Sequence, residues 1–311
     1  MALNLYNIRK WYRMIAGKSV MHVNQDIGKT FDKDSLQGYY NNMTEKVTSL
    51  PNLLHTEALP LYRTPSGKDI TFPVDVFQYG LGAYDLFLIT GDEAYKEKFM
   101  QCCKWAVEHQ EESGAWNTFF FKYPDAPYGG MSQGEAASLL VRGYNETGNN
   151  DYLYAARKAI DFMLINKEKG GCTEYLGENQ IVLCEYTHLP VVLNGWIFAW
   201  FGLYDFVKVM GEACDSKYSE TLEKSLNTLE AMLPSFSCSY WSLYDVNGKM
   251  ASPFYHRLHI AQMQAMYILT GHDIFDLYAN KWNTYLNNST YKTVAFVKKA
   301  FQKIFEKEYW A

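Results

Sequence analysis

The feature that most constrains this chain is a series of glycine stops. Gly91, Gly148, Gly211 and Gly271 fall roughly 60 residues apart, a period that belongs to repeated supersecondary units. Each closes an apolar run, over residues 78–90, 133–147, 194–210 and 259–270. Glycine just past a periodic run marks a helix C-terminus, because it takes the left-handed backbone without a Cβ clash. A different kind of helix follows each stop. Residues 216–233 set Tyr218, Leu222, Leu226, Leu229 and Leu233 on one stripe, with Lys217, Glu220, Glu223, Lys224 and Glu230 elsewhere. That is an amphipathic helix, half buried and half wet. Residues 93–110, 151–166 and 272–286 follow the same pattern. The unit is a buried inner helix, a tight turn, an outer helix and a returning loop. Four such units predict an all-α fold, an α/α toroid, closed or partly open, with short β-strands in the loops at one end.

The rest of the chain is read around that repeat. Residues 1–70 form an N-terminal arm expected to pack on the main body, with short helices over 8–14 and 35–47. Pro51, Pro60, Pro65 and Gly67 then mark an irregular connection. Residues 71–290 make the toroid. Residues 291–311 form a C-terminal amphipathic helix. Its apolar side, Val297, Phe301, Ile304 and Phe305, is expected against the toroid, with Lys298, Lys299, Lys303 and Lys307 on the other side.

Composition narrows the partners. The chain is 48% hydrophobic and 20% charged with a net charge of −5, which fits a globular protein and not the basic face of a nucleic-acid binder. At 16% aromatic, it suits a groove where sugar rings stack. Cys102, Cys103, Cys172, Cys184, Cys214 and Cys238 show no C-x-x-C pair and no histidines at zinc spacing. They read as free thiols in a reducing compartment, with no metal site. Residues 1–26 lack the apolar core of a secretory signal, and no run reaches the length of a membrane span. A cytoplasmic protein without a transmembrane segment is expected.

Candidate chemistry centres on Cys184-Glu185-Tyr186-Thr187-His188-Leu189-Pro190, which leads into the apolar helix from Trp196 to Met210. The carboxylate beside a phenol is either a capped helix start with a tyrosine on the core rim or an ionisable pair at the mouth of a buried helix. In a toroid, four stretches converge on that mouth: Tyr128 to Glu135, Glu185-Tyr186, Ser242 to Asp245, and Phe254 to His259. Tyr186, Tyr244 and Tyr255, with Glu185, His256 and His259, make an acid–base set without a metal. A phenol titrates near pH 10, so a neighbouring cation or donated hydrogen bonds must lower it before it serves as a base.

Several short motifs share an order with one family. They are Phe77-Gln78-Tyr79-Gly80-Leu81, Met131-Ser132-Gln133-Gly134, Leu139-Leu140-Val141-Arg142-Gly143-Tyr144, Glu185-Tyr186, Val192-Leu193-Asn194-Gly195, Gly202-Leu203-Tyr204-Asp205, Tyr244-Asp245, and Tyr255-His256 with His259-Ile260 and Gln262. From about 72 to 287 the chain resembles the C-terminal catalytic region of the D-glucuronyl C5-epimerases, which act on heparan-type polysaccharides. The resemblance implies a cofactor-independent isomerase that exchanges the C5 proton of a hexuronic acid within a polymer. It implies that Glu185, Tyr186, Tyr244 and Tyr255 line the site and that Gln78 and Asn194 contact sugar. Tyr128, Gln133, Trp241, His256 and His259 complete the substrate-binding candidates. The expected assignment puts Tyr186 and Glu185 on one face of the sugar and Tyr255 on the other, with Tyr244 donating to the carboxylate or sharing proton delivery.

Two positions depart from the family. Asn247 and Ser252 stand where it carries arginines, which would grip carboxylate or sulfate in bidentate fashion. Arg257, Lys249 and Arg63 are the candidate replacements. The animal relatives suggest a homodimer, although no interface is visible in the sequence. A polysaccharide lyase, a glycoside hydrolase with paired carboxylates and a non-catalytic glycan-binding relative are the alternative readings.

Overall fold

The computed structural model describes residues 22–64 and 66–305; the helix expected over 8–14 lies outside them, as does the tail beyond 305. Among the described residues, eight helices form four hairpins, with α1 (Thr44–Thr48) ahead of them. The inner helices are α2 (Pro73–Thr90), α4 (Gly130–Thr147), α6 (Leu193–Met210) and α8 (Pro253–Thr270). Their outer partners are α3 (Glu93–Glu108), α5 (Asn150–Met163), α7 (Ser216–Met232) and α9 (Asp273–Asn287). Gly91, Gly148 and Gly271 end their helices at φ 69°, 68° and 72°. Gly211 instead opens a short 3-10 turn over Gly211–Ala213.

Successive inner helices pack side by side, α2 on α4, α4 on α6 and α6 on α8, giving an incomplete α/α toroid. The inner helices bury every side at their N-terminal ends: Pro73 through Asp85 in α2 and Leu193 through Leu203 in α6. Their last turns emerge. Tyr204 and the residues from Val207 to Met210 are partly exposed, so α6 is apolar all round but not enclosed to its end.

What fills the arc is the arm. Ahead of α1 the arm doubles back as an antiparallel hairpin, with Ile27 bridged to Asn41, Gly28 N–H bonded to the Tyr40 carbonyl and Asn42 N–H to that of Asp26. The helix expected over 35–47 is therefore only α1. Residues 35–43 spend their backbone groups on the opposing strand and on turns, and Gly38 sits at φ 69°, which no helix interior permits. At one end of the hairpin His22 packs edge-on against Phe254 of α8, 5.0 Å between centroids, while Gln25 reaches Gln78 of α2 at 3.5 Å. The arm thus spans from the last inner helix to the first.

Deep in the toroid the hairpin is held by charge. Arg142 and Asp205, both fully buried, pair at 2.6 Å. Arg142 Nε donates to the Gly38 carbonyl at 2.7 Å, and the Tyr40 hydroxyl donates to Asp205 Oδ1. Tyr39 and Tyr40 pack on Phe198 and Phe201 of α6.

Two small hairpins decorate the loops. β1 (Tyr62–Arg63) pairs with β2 (Asp69–Ile70), and β3 (Thr173–Tyr175) with β4 (Ile181–Leu183). The loop around Trp241 carries only isolated bridges, Ser237 to Ser242 and Leu243 to Met250. The tail helix α10 (Ser289–Phe305) docks differently from its expected stripe. Ala295 and Lys299 are buried, and Gln302 Oε1 accepts from Met250 N–H at 2.9 Å, while Val297 and Phe301 are 45% and 57% exposed. Positions 295, 299 and 302 share a helical face, and that face meets the loop carrying Tyr244. Among the described residues no helix is long and apolar enough to cross a membrane.

Candidate active site

A cavity of about 130 Å³ opens at the N-terminal ends of the inner helices, several times what one water needs. Gln78, Ser132, Asn194 and Tyr255 face it from the four inner helices in turn, and Glu185 and Tyr186 face it from the loop before α6.

Glu185 stands two residues past the end of β4. Cys184 N–H bonds to the Cys172 carbonyl at 2.8 Å, which carries the hairpin geometry up to the carboxylate. Gly195, in the first turn of α6, makes room for it: a Cβ there would lie 2.2 Å from Glu185 Oε2. Asn194 Nδ2 donates to the same oxygen at 3.4 Å. Glu185 is 6% exposed, and burial pushes its carboxyl up to about 7 against the opposing pull of Tyr186, Lys122 and Lys249.

The phenols gather beside it. Tyr255 stands in the first turn of α8, where Pro253 suits the opening position and Ser252 Oγ accepts from Tyr255 N–H at 3.3 Å. Ser252 is therefore a helix cap. The Tyr244 ring meets Tyr255 edge-on at 4.8 Å, and its buried hydroxyl lies beside those of Tyr186 and Tyr255. Lys249 and Lys299 place their ammonium groups 5.4 Å and 5.8 Å from the Tyr244 ring centre. The Tyr186 ring is partly exposed and leans on Phe119 at 4.8 Å, while its hydroxyl is enclosed.

All three phenols are raised above the usual range, first by burial and then by the charge of Glu185. The expectation that a cation lowers one of them is not met, because desolvation and the charge of Glu185 raise all three. At neutral pH the phenols hold their protons, and Glu185 is the group poised to gain or lose one.

The other sequence candidates divide sharply. Gln78 and Asn194 line the cavity, whereas Tyr244, Tyr128, Gln133, Trp241, His256 and His259 are not among its lining residues. Tyr128 turns to the returning loop and donates to Glu111 Oε2 at 2.7 Å. Gln133 pins that loop from inside, accepting from Trp116 N–H at 3.3 Å. His256 accepts from Ser242 N–H at Nδ1, 3.2 Å, bonds the Trp282 carbonyl through Nε2, 3.1 Å, and lies flat on Trp241 with centroids 3.6 Å apart. Burial pushes it down to about 3, so it is neutral. His259 Nδ1 shares the Ser242 hydroxyl at 3.0 Å and is likewise pushed down by burial. Together they brace the segment that presents Tyr244. Of the replacement cations, Arg63 is spent on exposed Asp69 at 2.8 Å and Arg257 is exposed, leaving Lys249 near Glu185. Asn247 holds its own turn through N–H to Asp245 Oδ1 at 3.0 Å.

Sequence reasoning missed a second polar wall. Lys46, Asp75, Gln25 and Lys122 all line the cavity. Behind them Gln78 Nε2 donates to Glu135 Oε1 at 2.9 Å, and Glu135 Oε2 is buried without a partner among the described residues. Nothing in Thr-Glu-Lys-Val-Thr marks Lys46, whereas Glu135 closes the Tyr128 to Glu135 stretch that the sequence brings to the mouth. Among the described residues no group of three or more His, Cys, Asp or Glu side chains is placed to hold a metal ion.

These buried acids make stability pH-dependent. Burial pushes Glu135 up to about 8 and Asp85 and Glu185 up to about 7. Between pH 5 and 8 the folded chain holds protons that the unfolded chain has released, so stability falls as pH rises across that window. Urea midpoints are expected to be lower at pH 8 than at pH 5. Glu135→Gln, which keeps the Gln78 bond, is expected to flatten the upper part of the decline; an unchanged slope would remove Glu135 as its source.

Against known proteins, the family described as D-glucuronyl C5-epimerase C-terminus matches residues 101–284, more than half of the chain. An uncharacterized protein of Methanocaldococcus jannaschii is 32% identical over 159 residues, which are 50% of this chain and 51% of that one. The chain thus matches about half the length of this curated relative. Among solved structures, a UGL variant with dGlcA-Glc-Rha-Glc aligns at TM-score 0.48 and 10% identity, over 93% of this chain and 82% of that one. An unsaturated glucuronyl hydrolase specific for heparin aligns at TM-score 0.41 and 11% identity, over 86% of this chain and 97% of that one.

Proposed function

Because the chain belongs to the family described as D-glucuronyl C5-epimerase C-terminus, we propose that it inverts C5 of a hexuronic acid residue, of the D-glucuronate to L-iduronate type, within a polysaccharide. The observation that carries this reading is one carboxyl near 7 on the cavity wall beside two proton-holding phenols, Tyr186 and Tyr255, with Tyr244 packed against Tyr255. Glu185 takes the C5 proton, directly or through the adjoining Tyr186 hydroxyl, and the electrons of that bond move onto the uronate carboxyl as an enediolate. That charge needs preorganised donors, and the Gln78 and Asn194 amides on the cavity wall supply them. Tyr255 returns a proton to C5 from the opposite face. Tyr244 lies between Tyr186 and Tyr255, so a proton shift along the three phenols restores the starting state. Phe119, Tyr62, Phe72 and Phe121 supply aromatic wall for the neighbouring sugars.

The test is incubation with glucuronate-containing polysaccharides in deuterated water, followed by proton NMR. Loss of the C5 proton signal with new iduronate-type signals is the expected result. Unsaturated ends would replace the reading with a lyase and new reducing ends with a hydrolase. Binding without exchange would leave a glycan-binding protein.

A further inference from the structure

Two cations line the cavity, and they serve different ends. Lys122 belongs to the acid–base side: its charge pulls on Glu185, and its ammonium sits 4.4 Å from the Tyr123 ring centre. Lys46 comes from the arm. It is 4% exposed, and its Nζ donates to Asp75 Oδ1 of α2 at 3.1 Å. An ammonium has three hydrogens to give, and Asp75 takes the bond that Lys46 makes among the described residues. Burying such a pair gains little over apolar residues of the same volume, so folding does not require it. It faces a cavity whose other walls hold acids, phenols and amides. The two positions where the family carries arginines are meanwhile occupied by a helix cap, Ser252, and a turn residue, Asn247.

We propose that Lys46 grips the substrate's uronate carboxylate, with Asp75 fixing the ammonium and Gln78 alongside. This rests on the hexuronate reading and deepens it. The arm then completes the binding site and does not merely fill the toroid. A cation on that carboxylate also meets the charge that develops when the C5 proton leaves.

The experiment compares two probes by calorimetry: a glucuronate–N-acetylglucosamine hexasaccharide, and the same hexasaccharide with its carboxyls reduced to hydroxymethyl groups. Lys46→Gln is expected to raise Kd for the uronate probe about tenfold or more and to leave Kd for the reduced probe within about twofold, as befits one charge-assisted contact. Lys46→Gln leaves Asp75 buried and unpaired, so Lys46→Gln/Asp75→Asn is measured beside it and is expected to show the same selective loss in a folded chain. Equal changes for both probes, no change, or a wild type that does not prefer the uronate would overturn the proposal. Selective, Lys46-dependent binding without C5 exchange in deuterated water would overturn the epimerisation reading and keep the carboxylate site.

Discussion

Tyr186→Phe and Glu185→Gln are each expected to slow C5 proton exchange by roughly 10²–10⁴-fold while leaving oligosaccharide binding largely intact. The two substitutions remove different things. Glu185→Gln keeps the volume, the contact with Asn194 and the space left by Gly195, and deletes only the basic oxygen. Tyr186→Phe keeps the ring on Phe119 and deletes the hydroxyl that adjoins Glu185. The pH profile separates the residues further. A base pushed up to about 7 works only once deprotonated, so the exchange rate is expected to rise with pH and level off above about 7. That limb should vanish in Glu185→Gln. A limb that persists there would assign the base to another group, and wild-type exchange in both variants would remove the pair from the chemistry.

The second large effect concerns stability, at the far end of the toroid. Arg142→Met is expected to destabilise the fold by about 3–5 kcal/mol, read as a lower urea midpoint with little change in slope. Arg142 and Asp205 are both fully buried, and removing one partner leaves the other as an uncompensated charge. The Gly38 carbonyl loses its donor as well. Arg142→Met/Asp205→Leu is expected to recover most of the loss, since two apolar residues of similar volume need no charge partner. If the single substitution costs under about 1 kcal/mol, the pair is not what anchors the arm. The effect should reach the cavity too, because the same arm carries Lys46 on α1.

The repeat was legible because it is local. Apolar runs, glycine stops and amphipathic stripes lie within a few turns of each other along the chain, and the helices end within a few residues of the expected limits. The starts of α2 and α8 were not. Pro253 and Ser252 begin α8 six residues ahead of the apolar run, and that puts Tyr255 on a helix rather than a loop. Part of the candidate site was legible for a similar reason: Glu185, Tyr186, Asn194, Gln78 and Tyr255 belong to short contiguous motifs, and all five meet at one cavity. Tyr128, Gln133, Trp241, His256 and His259 belong to the same or adjoining motifs, yet they brace loops. Which side of a helix start or loop faces the cavity is set by packing, not by residue type.

Sequence alone therefore determined the four hairpins, their order around the toroid and the carboxylate–phenol pair at its mouth, since each follows from periodicity or adjacency. Tertiary structure decided the rest. The arm threads the toroid because Gly38 and Tyr40 meet Arg142 and Asp205, residues more than a hundred positions away. Lys46 reaches the cavity by that route, and Glu135 faces Gln78 across two helices. The protonation of the phenols was settled there as well, because desolvation depends on what surrounds a hydroxyl in space, and the chain neighbours of Tyr186, Tyr244 and Tyr255 do not specify it.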